Sequence, residues 1–474
     1  MAGKQMWRKR VRHLTAAAQR NAGTLVLVLL VAGFRLAVAA EQGKDRHAPT
    51  NQLITAPISL TDAISITLRQ SPSILKAQKD LEAAEGIVIQ TRAIAIPKLR
   101  ANGSYSAVEP SDLNRLSVSG FTNISFGGDQ NWSSQIRLVQ SLYEGGKITS
   151  ALRVAKLTRE QALLNYQTTV ADALLETQIG YFDVLLSQQQ IVVQEASVEL
   201  LNRELTETTR RYNAGTVPRF NVLRAEVELA NAQPKLIRAR NAYRIAKNNL
   251  ANVLGFNIPK ETIEDIPLTL SDKLEAEPLQ VELPSAIRTA LERRSELGTL
   301  RKAVELRKED VVNAQSGYLP SLEAYGGYDA HNSLFSSDLT REVHGWIAGV
   351  QMNWDIFDGL QTRGKTMQAK ALHEKAGIEL EDSSRKIELE VRTAYSNFRE
   401  AAELLKSQEK VVEQGEEALR LARARADAGS ATQLDVLSAQ TALTEARTTQ
   451  IQALHDYAVA RARLQRAMAA DVHR

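Results

Sequence analysis

Trp346-Ile347-Ala348-Gly349-Val350-Gln351-Met352-Asn353-Trp354-Asp355-Ile356-Phe357-Asp358-Gly359 is the stretch that decides the fold. Its first nine residues alternate. Trp346, Ala348, Val350, Met352 and Trp354 share one face, and Ile347, Gly349, Gln351 and Asn353 the other, which is the period of a β-strand. The pattern recurs 214 residues earlier, where Trp132 matches Trp346, Tyr143 matches Phe357 and Gly145 matches Gly359. At the same offset Tyr181 matches Tyr395, Gly215 matches Gly429, and Asn221-Val222-Leu223 matches Asp435-Val436-Leu437. Long helices impose such constancy, because one added residue turns every later side chain by about 100°. Upstream, Pro97-Lys98-Leu99…Tyr105 matches Pro320-Ser321-Leu322…Tyr328 at an offset of 223. The length change therefore falls between Tyr105 and Trp132, a segment expected to be a loop. A duplicated unit of this size predicts a repeat architecture.

Four segments have period two. Besides 346–354 they are Trp132, Ser134, Ile136 and Leu138 against Ser133, Gln135 and Arg137; Leu99, Ala101, Gly103 and Tyr105; and Leu322, Ala324, Gly326 and Tyr328 against Glu323, Tyr325, Gly327 and Asp329. At about nine or ten residues each is long enough to cross a bilayer tilted. One face is apolar or small, and the other is polar enough for a wet lumen. Trp346 and Trp354 lie at opposite ends of one strand, with Trp132 and Tyr105 near the ends of others, where an aromatic girdle belongs. Four strands form two hairpins with loops at about 107–131 and 330–344. They cannot close a barrel, and an open edge in lipid leaves backbone groups unpaired. Three copies would supply a twelve-stranded barrel. A soluble four-stranded sheet is the alternative.

The rest reads as helix. Thr61-Asp62 can cap a short helix, and tracts are expected at about 72–96, 147–213, 218–254, 284–318, 360–427 and 432–469. The tracts of 65–70 residues would be about 100 Å long and must coil against neighbours. Ile387, Val391, Ala394, Phe398, Ala401, Leu405, Val412, Leu419, Ala422 and Ala426 fall on one 3-4 stripe, broken by Gln408 and Gly415. Asn213-Ala214-Gly215 and Asp427-Ala428-Gly429-Ser430 read as the hairpin tips. The expected organisation is a signal peptide over 1–40, an N-terminal extension over 41–59, a first repeat over 60–255, a linker over 256–283 and a second repeat over 284–470.

Lys4, Arg8, Lys9, Arg10 and Arg12, the apolar run 25–31 and Ala37-Val38-Ala39-Ala40 compose the expected leader. An uncleaved anchor is the other reading. The chain has 59 Lys+Arg and 55 Asp+Glu. Removing the leader's seven bases leaves 52 against 55, a net charge of −3, so nucleic-acid binding has no electrostatic support. Without cysteine there are no disulfides and no thiolate metal sites. No catalytic constellation or cofactor motif emerges. His331 and His344 flank the second loop and read as solvated loop residues, with a metal pair as the alternative. His13, His47, His373, His455 and His473 are scattered.

Assembled, these residues resemble the outer-membrane efflux protein family, the TolC-like channel-tunnels, over about 60–469. The junctions Leu142-Tyr143-Glu144-Gly145-Gly146 and Ile356-Phe357-Asp358-Gly359 carry the resemblance. So do the tips Arg211-Tyr212-Asn213-Ala214-Gly215-Thr216-Val217 and Arg425-Ala426-Asp427-Ala428-Gly429-Ser430, each followed by a Val-Leu pair. The resemblance implies a homotrimer with its β-barrel in outer-membrane lipid and a long α-helical barrel crossing the periplasm. It implies a periplasmic adaptor protein and an inner-membrane pump at the far end. It places Gly215, Thr216, Val217, Gly429 and Ser430 at adaptor-contacting tips. Asp435 falls on the first of two acidic positions lining a constricted mouth, the second is Ser438, and Asn221 is the first-half equivalent of Asp435. A tyrosine and an arginine that help lock the family's closed mouth fall on Ala426 and Ala431, two departures from the standard latch.

Three copies of Asp435 would form a negative ring favouring a bound cation or a raised pKa. Asp435 also suits a helix N-terminus by itself, and both can hold. The expected function is passive conduction, as the exit duct of a tripartite efflux or type I secretion system. A non-transport, periplasm-spanning structural coiled coil is the alternative.

Overall fold

The computed structural model describes residues 56–470 apart from 110–113, 117–123, 127–129, 257–264, 333–338 and 341. The leader and most of the N-terminal extension lie outside the described residues. Two helices, α1 (Leu60–Gln70) and α2 (Pro72–Arg92), lead into β1 (Lys98–Ala107). A short hairpin, β2 (Asn114–Leu116) and β3 (Ile124–Phe126), precedes β4 (Gln130–Glu144). The first long hairpin is α3 (Lys147–Asn213) and α4 (Arg219–Val253). The order then repeats as α5 (Leu283–Arg293), α6 (Ser295–Gln315), β5 (Ser321–Asn332), β6 (Glu342–Asn353), α7 (Gln361–Asp427) and α8 (Gln433–Ala467). Both long helices have 67 residues and both return helices 35. Among the described residues no helix is long and apolar enough to cross a membrane.

The sheet is antiparallel with order β1-β4-β5-β6, so β1 and β6 each have one neighbour. Its register puts every expected apolar residue on one face. Leu99 faces Leu138, Leu138 faces Gly326, and Gly326 faces Ala348, while Tyr105 faces Trp132 and Tyr328 faces Trp346. The other face aligns Arg100, Arg137, Gly327 and Ile347 in one row and Asn102, Gln135, Asp329 and Gly345 in the next. On β4, Ser134, Ile136 and Leu138 are exposed, whereas Ser133, Gln135, Arg137 and Val139 are half-buried. On β6 Trp346, Ala348 and Val350 are exposed and Ile347 and Gly349 half-buried. The sheet thus curls toward its polar face. The expected loops are modified at both sites: the first holds the β2–β3 hairpin, and strand pairing extends β5 and β6 into the second.

The helices pack where the stripe predicts. Ile387, Val391, Phe398, Ala401, Leu405 and Leu419 are buried, and Ala394, Val412, Ala422 and Ala426 partly so. A first core wraps the middle of α3, joining Tyr181, Val184 and Leu185 to Leu250, Leu254, Ile58 and Ala63. The linker is part of it: Ile266, Leu268 and Leu274 are buried, and Ile58 bridges Leu270 in parallel. Tyr181 donates to Ile58 O (3.0 Å) and to Asp272 Oδ2 (2.9 Å). A second core gathers Ile387, Val391, Phe398, Tyr457 and Leu464 around α5 and the start of α6.

Two local expectations are corrected. The cap of α1 is Ser59, whose hydroxyl accepts from Asp62 N (3.1 Å) while Asp62 Oδ2 accepts from Ser59 N (3.2 Å). The tract 284–318 is two helices broken at Arg294 (φ −59°, ψ 121°). In the first repeat the matching break at Ser71 precedes Pro72, which disfavours helix at the residue before it. The second repeat has no proline there. Instead the buried Arg294 guanidinium binds Glu296 (3.0 and 3.1 Å), Glu390 (2.9 Å) and Ala467 O (3.3 Å), and Glu296 also accepts from Arg466 (2.6 Å). Burial pushes the Glu296 carboxyl up, but Arg466 and Arg294 outweigh it and hold it below the ordinary carboxylate value.

Arg294→Met should therefore cost about 3 kcal/mol, the low end for removing one partner of a buried pair, since Glu390 remains half-exposed. The loss should be seen as a lower thermal midpoint at neutral pH. It should shrink as pH falls through the depressed Glu296 pKa, because a protonated Glu296 no longer needs the cation.

Candidate functional site: the hairpin tips and the seam between them

Each tip turns on one glycine with positive φ, +77° at Gly215 and +74° at Gly429, a region that disfavours side chains. The closing bonds are duplicated. Gly215 N donates to Tyr212 O and Thr216 N to Arg211 O (both 2.9 Å), as Gly429 N donates to Ala426 O (3.0 Å) and Ser430 N to Arg425 O (2.8 Å). The hydroxyls of Thr216 and Ser430 donate to the same arginine carbonyls (2.8 and 3.1 Å). These are Schellman-type caps, and they present the two loops in one shape.

A groove of about 810 Å³ separates the tips and brings Thr216, Val217, Asn221 and Gly429 together with Arg211, Asp427 and Gln433. Asp435 and Ser438 are exposed and do not line it. Asp435 sits in the first turn of α8 in a capping box. Its Oδ2 accepts from Thr432 N (2.7 Å) and Thr432 Oγ1 (2.8 Å). Those bonds hold its carboxyl below the ordinary aspartate value. Crowded like charges would shift it the other way, so in the single chain Asp435 behaves as a helix-start acid. Its neighbours Val436 and Leu437 are buried, which fixes the start of α8.

With alanine at 426 and 431, other groups hold the second hairpin to the first. Arg211 Nη2 donates to Asp427 Oδ1 (3.2 Å), and Gln433 Nε2 donates to Thr208 Oγ1 (2.6 Å) and Glu204 Oε1 (3.3 Å). Farther up the α3–α8 seam Thr444 donates to Ser197 (3.4 Å), His455 Nε2 meets Asp183 Oδ1 (2.8 Å), and Arg466 Nε donates to Asp172 Oδ1 (2.9 Å). Gln440 is buried in this seam with neither amide atom bonded. Apolar packing in the seam comes from Ala458 against the first core and, nearer the tips, from Leu201 with Leu437 and Leu200 with Val436 and Leu443. Polar pairs and small apolar clusters thus alternate along the seam. Sequence reading missed Arg211, Asp427, Gln433, Asp183 and His455 as partners, because the pairs lie 216 to 272 residues apart.

At the sheet, Tyr105, Trp132 and Trp346 lie toward one end of the apolar face and Trp354 just past the other. Trp132 Nε1 donates to Leu339 O (3.2 Å) and Trp354 Nε1 to Tyr318 O (3.3 Å), so each ring keeps its polar atom satisfied. Trp346 is 82% exposed. The His331/His344 pair is not a metal site. Ala330 faces His344 and His331 faces Val343, so the two imidazoles project from opposite faces of the sheet. His331 instead meets Asp329 (3.2 Å), and His344 stacks on Tyr328.

His455 lies between two carboxylates, Asp183 and Asp456 (Nδ1 to Oδ1, 3.0 Å), the latter also bonded by Gln452. Burial pulls the imidazolium toward neutrality, but the carboxylates outweigh it and raise its pKa above 6.5. A raised histidine pKa stabilises fully below the unfolded value and loses that contribution as pH rises through the folded one. The thermal midpoint should therefore drop as pH climbs past 6.5, and His455→Gln should flatten that part of the curve.

The model of the outer membrane efflux protein family matches residues 63–256 and 286–470. The alkaline protease secretion protein AprF of Pseudomonas aeruginosa is 25% identical over 415 residues, 86% of this chain and 83% of that protein. The outer membrane protein TolC of Escherichia coli (strain K12) is 22% identical over 399 residues, 82% of this chain and 78% of that protein. The crystal structure of the outer membrane protein VceC from Vibrio cholerae has the same fold, with a TM-score of 0.70 at 19% identity over 86% of this chain and 95% of that one. Two matched segments that contain both hairpins, and a shared fold of strands and long helices, place this chain in the outer membrane efflux protein family.

Proposed function

We propose that three copies of this chain form a passive exit duct, with one twelve-stranded barrel in the outer membrane and one helical tunnel reaching into the periplasm. The observation that carries the reading is a sheet that has two unpaired edges among the described residues and an exposed apolar face. Leu99, Trp346, Val350 and Met352 are all more than 60% exposed there. Water does not tolerate a contiguous patch of this kind, and lipid does not tolerate the open edges. Strand directions alternate through the sheet, so β6 of one copy meets β1 of the next antiparallel, and the ring closes without a seam of different hand. At about 3.4 Å per residue, a twelve-residue strand tilted by about 40° reaches through a bilayer core.

The helices offer a matching edge. Phe220, Leu223, Val227, Ala230, Pro234 and Ile237 form an exposed 3-4 stripe on α4, which suits a helix of a neighbouring copy. Tyr105, Trp132, Trp346 and Trp354 are the aromatic girdle, anchored at the two lipid–water interfaces. Gly215, Thr216, Val217, Gly429 and Ser430 form the end that meets a periplasmic adaptor and, through it, an inner-membrane pump. That pump supplies the energy and chooses the cargo, for efflux or for type I secretion. Asp435, with Ser438 and Asn221 nearby on the helix starts, marks the mouth. A purely structural coiled coil is disfavoured by the exposed apolar sheet.

Unheated, detergent-solubilised protein should migrate near three times the subunit mass and collapse on boiling. A band that stays at one subunit mass in mild detergent would end the reading. In planar bilayers Asp435→Ala should alter conductance or its block by divalent cations, and an unchanged single-channel record would remove Asp435 from the mouth.

A further inference from the structure

The register sets Arg100 directly opposite Arg137 on the concave, polar face of the sheet. Like charges facing each other across a strand pair destabilise it, so the pairing calls for a reason. Among the described residues no carboxylate comes within ion-pair distance of either guanidinium. Of the acids on this face, Asp329 is engaged by His331 and Glu323 lies nearer the helical end. Arg137 is held in place by other means. Its guanidinium lies over the Tyr325 ring, 5.4 Å from the centroid. With the amide turned so that its carbonyl faces the guanidinium, Gln135 accepts from Arg137 Nε (3.1 Å) and Nη2 (3.0 Å).

The strands make room for this arrangement. Gly327 faces Arg137, and a Cβ there would press on the carbonyl of Ile136 and on the Arg137 stem. Gly349 faces Tyr325, and a Cβ there would come within 2.8 Å of the tyrosine hydroxyl. Two glycines thus let one arginine lie flat across a strand and stack on an aromatic ring. Among the described residues no hydrogen bond engages the Arg100 guanidinium or Arg137 Nη1, so both arginines on this face retain donors.

We propose that Arg100 and Arg137 form an anion-binding zone on the barrel wall, which engages solutes bearing phosphate, sulfate or clustered carboxylates as they leave. The proposal rests on the trimeric duct above, in which three copies put six guanidiniums around one lumen. Arginine rings favour anions as acidic rings favour cations, and the planar guanidinium suits oxyanions bidentately. This chain then carries opposite charges at its two ends, acid at the helical mouth and base in the barrel.

The test is single-channel recording with inorganic tripolyphosphate added to the side facing the β end. Wild type should be blocked, more weakly as KCl rises. Arg100→Gln/Arg137→Gln should need at least about tenfold more tripolyphosphate, and Arg100→Lys/Arg137→Lys should fall between wild type and the glutamine pair, since lysine keeps the charge and loses the planar fork. Equal block of wild type and the glutamine pair, or block from the helical side alone, would overturn the proposal. The heat-labile assembly on a gel separates the cases. If the glutamine pair assembles and conducts, its block reports on the arginines, and if wild type does not assemble, the duct itself is refuted.

Discussion

Hydrocarbon offers no partner to a backbone N–H or C=O, and each group left unpaired there costs several kcal/mol. The rest of this molecule follows from that constraint. One chain supplies four strands and ends them on two open edges. Its apolar face looks outward and its polar face curls inward, so the edges can be satisfied only by further strands of the same curvature. Assembly therefore completes the fold, and the helical part inherits the symmetry that the barrel requires.

The constraint passes from sheet to helices through short, stiff junctions. Gly145 and Gly146 have positive φ where β4 becomes α3, and a Cβ on Gly145 would strike Ser316 O. In the second repeat Gly359 and Leu360 take the same region (φ +69° and +71°), although Leu360 carries a side chain. Left-handed backbone at a leucine is strained, and it is kept because Asp358 Oδ2 accepts from Thr362 N (2.7 Å) and caps the helix at that angle. Each junction sends a helix of about 100 Å away from the barrel. Two cores hold the middles of α3 and α7 against the far ends of α4 and α8, and toward the tips small apolar clusters around Leu201 and Leu419 alternate with polar contacts.

Much of this was legible in the sequence because both periods are strong. The strand register follows from alternation: a slip of β4 by one residue would have put Arg137 on the face of Leu99, Tyr328 and Trp346, and the one irregularity, a bulge between Ser141 and Tyr143, lies beyond Arg137 near the helical end. The buried stripe on α7 and both glycine tips were readable for the same reason. The break at Arg294 was not, since it has neither proline nor glycine and depends on Glu296, Glu390 and the end of α8. The β2–β3 hairpin was missed because three residues show no period. Arg211–Asp427 and Asp183–His455 were missed because no local pattern says which two of four helices are neighbours. The Asp435 capping box was written in the sequence as Thr432-x-x-Asp435, but the acid alone was noticed.

The two halves are alike in sequence and unlike in burial, and that difference shows what the duplication achieves. Leu437 is buried against Leu201 and Ala232 of the first hairpin, and Val436 against Leu419 and Leu443 of its own with Leu200 beside them, while their equivalents Leu223 and Val222 are 48% exposed and half-buried. One copy of the motif closes a contact inside the chain and the other presents the same side chains outward. Around a ring, every hairpin of the first kind then needs one of the second kind from the next subunit. Two nearly equal repeats per chain can tile a closed tunnel with alternating internal and external seams, of which only the external ones are formed by assembly. A single repeat would have to use one seam for both purposes, and it could not loosen its tips without loosening its trimer.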